Sequence, residues 1–298
     1  MAGSAEVAGV EISKPDKDLF PKDGITKLDV ARYYADVAEV MVPHLADHPI
    51  NMQRFPDGVG SGGFYEKKVP AHFPDWVARV SVRTSKGAQD QVVVSDVRSL
   101  VYLADQACIT PHAWLSRTSA LDQPDQIVFD LDPSVEDLGQ VRRATRMTGE
   151  VLDELGLTTF LKTTGSRGYH VLVPLRPQTD YDGVRRFARA VAELLAKRSP
   201  DLLTVEQRKS KRGPRVLVDV MRNAYGQTAV PPYAVRARDG APVSTPIGWD
   251  ELSAVQPTRF NLGNLAKRLS RGGDPWRNLR RHAQGLRKAE EKLRRLGG

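Results

Sequence analysis

Along the first hundred residues the apolar positions change period several times. Leu28, Val30, Tyr33, Tyr34, Val37, Val40 and Met41 recur at helical spacing, which predicts one amphipathic helix capped by Thr26 and ended by Pro43. Gln53, Arg54, Phe55, Pro56, Asp57 and Gly58 read as a strand ending in a turn, followed by a glycine-rich surface loop over 58–63. Apolar alternation over 77–82 and 91–94 predicts strands, and the apolar run over 97–107 predicts a helix covering them. Before all of these, residues 1–10 read as a disordered leader. Residues 11–21 give a short strand-like start and a turn at Phe20-Pro21-Lys22-Asp23-Gly24.

The second half is more regular. Ile127-Val128-Phe129-Asp130-Leu131-Asp132-Pro133 is a short apolar strand stopped by proline. A long helix over 138–155 follows, then strands over 158–162 and 169–174 joined by a turn over 165–168, a helix over 184–198 and a strand over 216–220. Strand, helix, hairpin, helix, strand is the order of an α+β sheet with helices on one face, similar to an RNA-recognition (RRM-like) or ferredoxin-like core. A catalytic core is therefore expected over about 95–260, after an N-terminal part over about 11–94. The segment 261–298 is expected to be a basic helical extension, with Leu279, Leu286, Leu293 and Leu296 loosely on one face.

Composition narrows the class. A chain of 298 residues that is 40% apolar can fill a real core. Lys and Arg outnumber Asp and Glu by 44 to 36, a net charge of +8, which favours a polyanionic partner. Cys108 is the single cysteine, so neither a disulfide framework nor a zinc-cysteine site can form within one chain. No signal segment or stretch of roughly 18 apolar residues is present, so a cytoplasmic protein with no membrane partner is expected.

Asp130 and Asp132 are separated by one residue, which on a strand points both carboxylates to the same side. Two such charges repel unless a cation lies between them, and carboxylate oxygens suit Mg²⁺ or Mn²⁺. Asp219 is the expected third carboxylate, because it is the one acid in the apolar run Val216-Leu217-Val218-Asp219-Val220. Two ions roughly 3.5 to 4 Å apart can activate a primer 3′-hydroxyl and stabilise a pyrophosphate leaving group. The structural alternative is a solvated turn carboxylate at Asp132 and a salt-bridged strand acid at Asp219. Between the strands, Ser166, Arg167, Gly168 and His170 form a turn whose amides, hydroxyl, guanidinium and imidazole can hold phosphate.

Phe129-Asp130-Leu131-Asp132-Pro133, then Ser166-Arg167-Gly168-Tyr169-His170, then Val218-Asp219 resemble, in order, the three motifs of the archaeo-eukaryotic primase superfamily. The chain resembles more closely the polymerase domain of bacterial non-homologous end-joining ligase D over nearly residues 11–260. Asp16-Lys17-Asp18-Leu19-Phe20-Pro21, Arg54-Phe55-Pro56-Asp57-Gly58, Phe64-Tyr65-Glu66-Lys67 and Pro232-Tyr233-Ala234-Val235-Arg236 carry that likeness. The fold it implies is a primase-polymerase fold with an RRM-like antiparallel sheet core and an N-terminal α/β subdomain packed on it.

The resemblance implies a template-directed polymerase that uses two Mn²⁺ or Mg²⁺ ions, takes NTP or dNTP with a ribonucleotide preference, and fills gaps or extends broken DNA ends. It makes Asp130, Asp132 and Asp219 the metal ligands, and Ser166, Arg167, Gly168, His170 and Arg236 the nucleotide-binding residues. Lys17 and Lys27, with Lys14 beside them, would hold a downstream 5′-phosphate. Phe64 and Tyr65 would stack on template bases, and Arg54 and Lys67 would assist in DNA binding.

The match also departs from the family: the spacing of His112 to Trp114 differs, and Arg167 stands where close relatives often carry lysine. The chain reads as a stand-alone polymerase, with a Ku-like protein and a separate DNA ligase as expected partners. The other readings are a non-catalytic module that binds DNA ends and a primase that initiates chains de novo.

Overall fold

Thr26 caps the first helix, α1 (Lys27–Asp36). Its hydroxyl accepts the Asp29 N–H at 3.2 Å while the Asp29 carboxylate takes the Thr26 N–H at 2.9 Å, closing a capping box. The predicted single helix is two: the backbone leaves helical geometry at Val37 and resumes as α2 (Ala38–Leu45). Pro43 lies inside α2 and does not end it. The Ala46 N–H to Val42 carbonyl bond at 2.8 Å carries the turn past the N–H that proline lacks.

The computed structural model describes residues 5–297, which fall into two units, each assembled from separate stretches of chain. The first runs to Ser119 and regains Thr228–Thr245 and Arg259–Asp274. Besides α1 and α2 it holds β1 (Ala5–Val7), β2 (Val10–Ile12), β3 (Asp18–Phe20), β4 (Ile25–Thr26), β5 (Pro49–Arg54), β6 (Phe64–Glu66), β7 (Arg79–Thr84), β8 (Gly87–Val93), α3 (Val97–Asp105) and β9 (Cys108–Trp114). The second unit supplies β10 (Gln126–Pro133), α4 (Leu138–Glu154), β11 (Phe160–Thr163), β12 (Tyr169–Pro174), α5 (Tyr181–Arg198), β13 (Leu203–Thr204), α6 (Lys209–Arg212) and β14 (Val216–Asp219). Of the later elements, β15 (Thr228–Ala229) and α7 (Leu265–Gly272) belong to the first unit, β16 (Pro246–Ile247) and α8 (Arg287–Gly297) to the second.

Three expectations change. Residues 5–10 of the expected disordered leader are ordered, while 1–4 lie outside the described residues. β1 and β2 pair through Ala8 and Gly9, both at positive φ (49° and 74°), which is the geometry of a two-residue hairpin, and Val10 and Ile12 bury their side chains in the core. The boundary expected near residue 95 falls at 119/120, because α3 packs on α1 and β9 pairs along β5 from Ile50↔Ala113 to Arg54↔Cys108. The segment from 261 is not one extension: α7 joins the first unit, and α8 lies on α5 in the second with Leu286, Ala289 and Leu293 buried.

In the first unit the main sheet runs β15-β9-β5-β8-β7, with β6 added on β5. Its core holds the fully buried Leu19, Phe20, Tyr34, Met41 and Leu45. Tyr33 and Tyr34 fasten the returning segment: Tyr33 Oη donates to the Tyr233 carbonyl at 2.7 Å, and the Val235 N–H donates to Tyr34 Oη at 3.2 Å.

The second unit is an antiparallel sheet in the order β13-β14-β10-β12-β11-β16, with only the β13–β14 pair parallel. Its inner four strands reproduce the expected strand-helix-hairpin-helix-strand order, with β10 and β12 central. Ile127, Phe129 and Leu131 are fully buried, and α4 and α5 pack against β10. The alternate positions, Asp130 and Asp132, carry the carboxylates on the other face of the strand.

Candidate active site

Strand register assembles the centre of the site. Lys162 on β11 pairs with His170 on β12, His170 with Asp130 on β10, and Asp130 with Asp219 on β14, so four ionisable side chains form one row across four strands. His170 Nε2 stands 3.5 Å from Asp130 Oδ1, and Lys162 and His170 are both buried. Asp219 Oδ1 accepts the Met221 N–H at 2.8 Å.

The two facing acids are pushed in opposite directions. Burial raises the Asp130 pKa, but the His170 imidazole, Arg222 and Lys162 outweigh it and hold the carboxyl below its ordinary value. Asp219 is raised above its ordinary value, first by burial and then by the Asp130 charge, which together exceed the help of the Met221 N–H, Arg222 and Gln207. A cross-strand pair of carboxylates with one destabilised as an anion is a hard-oxygen donor set suited to a divalent cation.

Asp132 does not join that pair. Its Oδ1 takes a bond from Arg167 at 3.1 Å and its Oδ2 one from Arg212 at 3.2 Å. Arg212 is itself buried and fixed by the Glu206 and Gln207 carbonyls at 2.8 and 2.7 Å. Among the described residues, no three His, Cys, Asp or Glu side chains lie close enough together to hold a metal. The third carboxylate expected at the cation is occupied by guanidinium.

The turn expected to hold phosphate is built by Thr164, whose hydroxyl donates to the Gly168 carbonyl at 2.9 Å and accepts the Ser166 and Gly168 N–H groups at 3.2 and 3.3 Å. Gly165 takes the left-handed conformation at φ 62°. Gly168 is required for a different reason, since a Cβ there would overlap the Leu131 carbonyl oxygen of β10. The turn thus lies against the strand that carries the acids, with Ser166 half-buried and Arg167 exposed.

Lys162, Arg212 and Arg222 are the site residues that sequence reading missed. Lys162 had a usable signal, a lone charge in the strand Phe160-Leu161-Lys162-Thr163, as Asp219 has in its own. Arg212 had none, because it stands in a run of basic residues from which no single one stands out.

The remaining candidates lie in the first unit. Lys27 is buried, with its Nζ 3.5 Å from Asp105 and 3.0 Å from Ser13 Oγ. Burial lowers its pKa below the ordinary value against the pull of Asp105, and the nearby Lys17 and Lys14 lower it further. Lys14 is exposed, and Lys17 pairs with Asp57 at 3.1 Å. The three amines are therefore neighbours, as a phosphate clasp needs.

Phe64 and Tyr65 on β6 are 48% and 56% exposed, which removes core packing as their role. Lys67 is also exposed, whereas Arg54 is committed to Glu66 and to the Gln106 carbonyl. Arg236 is half-buried after the Pro231–Tyr233 bend, its backbone N–H bonded to the Pro242 carbonyl at 2.8 Å. His112 is buried, with Nε2 3.2 Å from Gln53 Oε1.

Comparison with known proteins agrees with this architecture. The family described as LigD, primase-polymerase domain matches residues 26–276. The multifunctional non-homologous end joining protein LigD of Pseudomonas aeruginosa is 33% identical over 279 residues, covering 92% of this chain and 33% of that protein. The bifunctional LigD of Bacillus subtilis is 28% identical over 278 residues, covering 92% and 45%. The chain thus spans about a third to under half of these relatives' length. The solved polymerase domain of Mycobacterium tuberculosis ligase D, in complex with DNA, superposes with a TM-score of 0.86 at 31% identity, covering 92% of this chain and 99% of that one. With the family match spanning most of its length and the sheet bearing its acids in the expected strands, the chain belongs to the LigD primase-polymerase domain family.

Proposed function

We propose that this chain is a template-directed, metal-dependent polymerase that adds nucleotides, ribonucleotides by preference, at gaps or broken DNA ends. The observation that carries the reading is the row Lys162–His170–Asp130–Asp219, which sets two cation-seeking carboxylates beside two phosphate-seeking bases. Asp130 and Asp219 would hold Mn²⁺ or Mg²⁺, and Asp132 would join by exchanging Arg167 and Arg212 for the ion. The metal pair, when bound, supplies a Lewis acid for the primer 3′-hydroxyl and the leaving pyrophosphate.

The chain's own groups do the positioning. Arg167, freed from Asp132, Ser166, the Gly168 amide and His170 would hold the triphosphate, with Arg236 as a further phosphate contact. Lys14, Lys17 and Lys27 form the seat for a 5′-phosphate. Phe64 and Tyr65 supply stacking faces for template bases, and Arg54 and Lys67 support them. A Ku-like protein and a DNA ligase are the partners this reaction needs in end joining.

The test is extension of a labelled primer on gapped DNA with Mn²⁺ and either rNTP or dNTP, comparing the wild type with Asp130→Ala. Template-dependent addition that the variant loses, and that is faster with rNTP, is the expected result. Binding of the gap with no addition under either sugar and either metal would leave a module that only holds DNA ends.

A further inference from the structure

Trp76 is exposed although both its near neighbours are anchored. Phe73 and Val77 are buried, and the bonds from the Phe73 N–H to Pro70 and the Val77 N–H to Pro74, at 3.0 and 3.1 Å, fold the segment into two tight turns. These turns leave the Trp76 indole 37% exposed over α3, against residues Arg98 and Tyr102. Arg98 and Tyr102 are four apart on that helix and so share a face. The Arg98 guanidinium lies 4.0 Å from the indole centroid, and the Tyr102 ring meets the indole edge-on at 5.2 Å.

This patch continues into the β6 surface through a chain of side-chain contacts. Tyr102 meets Phe73 at 5.0 Å, Phe73 meets His72 at 5.2 Å, and His72 Nε2 bonds the Gln106 side chain at 3.0 Å. The Gln106 carbonyl accepts Arg54 Nε at 2.8 Å, and the Arg54 guanidinium stands 5.8 Å from the Phe64 centroid. Phe64, Tyr65 and Trp76 are the large exposed apolar side chains among the described residues of this unit. Lys67, Lys68, His72 and Arg98 are exposed along the same path, opposed by exposed Asp75, which lies 3.9 Å from Arg79.

Aromatic rings interleaved with cations are the surface that unpaired bases and their phosphates seek, because every base has a π-face and every link a charge. We propose that Trp76, Arg98 and Tyr102 form a second nucleic-acid station that takes unpaired bases of single-stranded nucleic acid running on from Phe64 and Tyr65. The proposal rests on the DNA-binding reading above and adds a site to it. A base seats on the open edge of the Trp76–Arg98 stack, and Arg98 also meets the adjoining phosphate.

Trp76 reports its own occupancy. Trp114 and Trp276 are buried and Trp249 is half-buried, so Trp249→Phe removes the other solvent-touched indole. The experiment titrates full-length Trp249→Phe protein with an oligothymidylate single strand and with a gapped duplex bearing a long unpaired template, reading indole emission and DNA anisotropy together. Quenching that tracks binding is expected, and Trp76→Ala or Arg98→Ala should weaken single-strand affinity by roughly tenfold while the melting temperature stays near wild type.

Binding with unchanged emission, or single-strand affinity equal to wild type in both variants, overturns the station alone. No binding of any DNA by anisotropy overturns the DNA-binding reading and the station together. Trp76→Phe keeps the stacking face and should retain most affinity, so equal losses in Trp76→Phe and Trp76→Ala would also reject stacking.

Discussion

Asp130 on β10 faces Asp219 on β14 as a direct cross-strand pair, and their carboxyls are driven to opposite sides of the ordinary value. Each acid therefore acts on stability with its own sign. Like charges placed opposite in a sheet destabilise it, and here the repulsion falls on Asp219 because His170 faces Asp130 from the other side.

Removing one charge or the other should have opposite effects on folding. A raised folded-state pKa means that the Asp219 anion burdens the fold at neutral pH and that the burden lifts as pH falls through that pKa. Asp219→Asn should thus raise the melting temperature at pH 7 by about 1 to 3 °C, with the gain shrinking toward acid. Asp130 is lowered, so its anion stabilises above the unfolded-state value and the benefit is lost as pH falls through the folded one. Asp130→Asn should lower the melting temperature at pH 7 and converge on wild type in acid. Thermal melts of both variants from pH 3 to 8 check the pair of signs, and both should abolish nucleotide addition.

The clearance at Gly168 is testable without touching a charge. A methyl group there meets the Leu131 carbonyl, so Gly168→Ala must shift the turn or the strand. A loss of about 1 to 3 kcal/mol in stability is expected, with a raised KM for nucleotide as Ser166 and Arg167 move. Denaturant unfolding and steady-state kinetics read the two effects, and a variant with wild-type values in both would reject the packing argument.

The lysine cluster calls for a choice of variant. Lys27→Ala strands buried Asp105 with only Ser13 and Gln106 as partners, which should cost about 3 kcal/mol and blur any binding result. Lys17→Ala breaks only the pair with largely exposed Asp57, worth at most about 1 kcal/mol. Lys17→Ala with Lys14→Ala should therefore fold normally and lose the preference for a 5′-phosphorylated gap. Affinities for gapped DNA with and without the phosphate decide this, and an unchanged ratio would remove the lysines from that role.

A buried clasp closes the first unit. Tyr233 Oη donates to Asp274 Oδ1 at 2.5 Å, and His44 Nε2 stands 3.3 Å from the other oxygen. Tyr233 is held at φ 65°, an uncommon value outside glycine, so its side-chain contact helps to fix the bend before Arg236. Asp274→Ala leaves that hydroxyl without its acceptor and should destabilise by about 1 to 3 kcal/mol. If Arg236 binds phosphate, nucleotide KM should rise more than kcat falls; kinetics at a temperature where the variant is fully folded separate this from unfolding.

The sequence by itself determined the second unit's strand-helix-hairpin-helix-strand order, the Thr26 cap, the Asp130–Asp132 strand and the Asp219 strand. Each depends on local periodicity or on one charge in an apolar run, which a linear reading can see. Tertiary structure decided what depends on distant chain segments. Register set Lys162 beside His170 and Asp130 opposite Asp219, the short helix α6 brought Arg212 onto Asp132, and pairing of β9 with β5 moved the unit boundary past residue 95. In the row of the site, cross-strand neighbours are fixed by hydrogen-bond ladders between stretches up to 89 residues apart, as from Asp130 to Asp219, and no local spacing encodes that register.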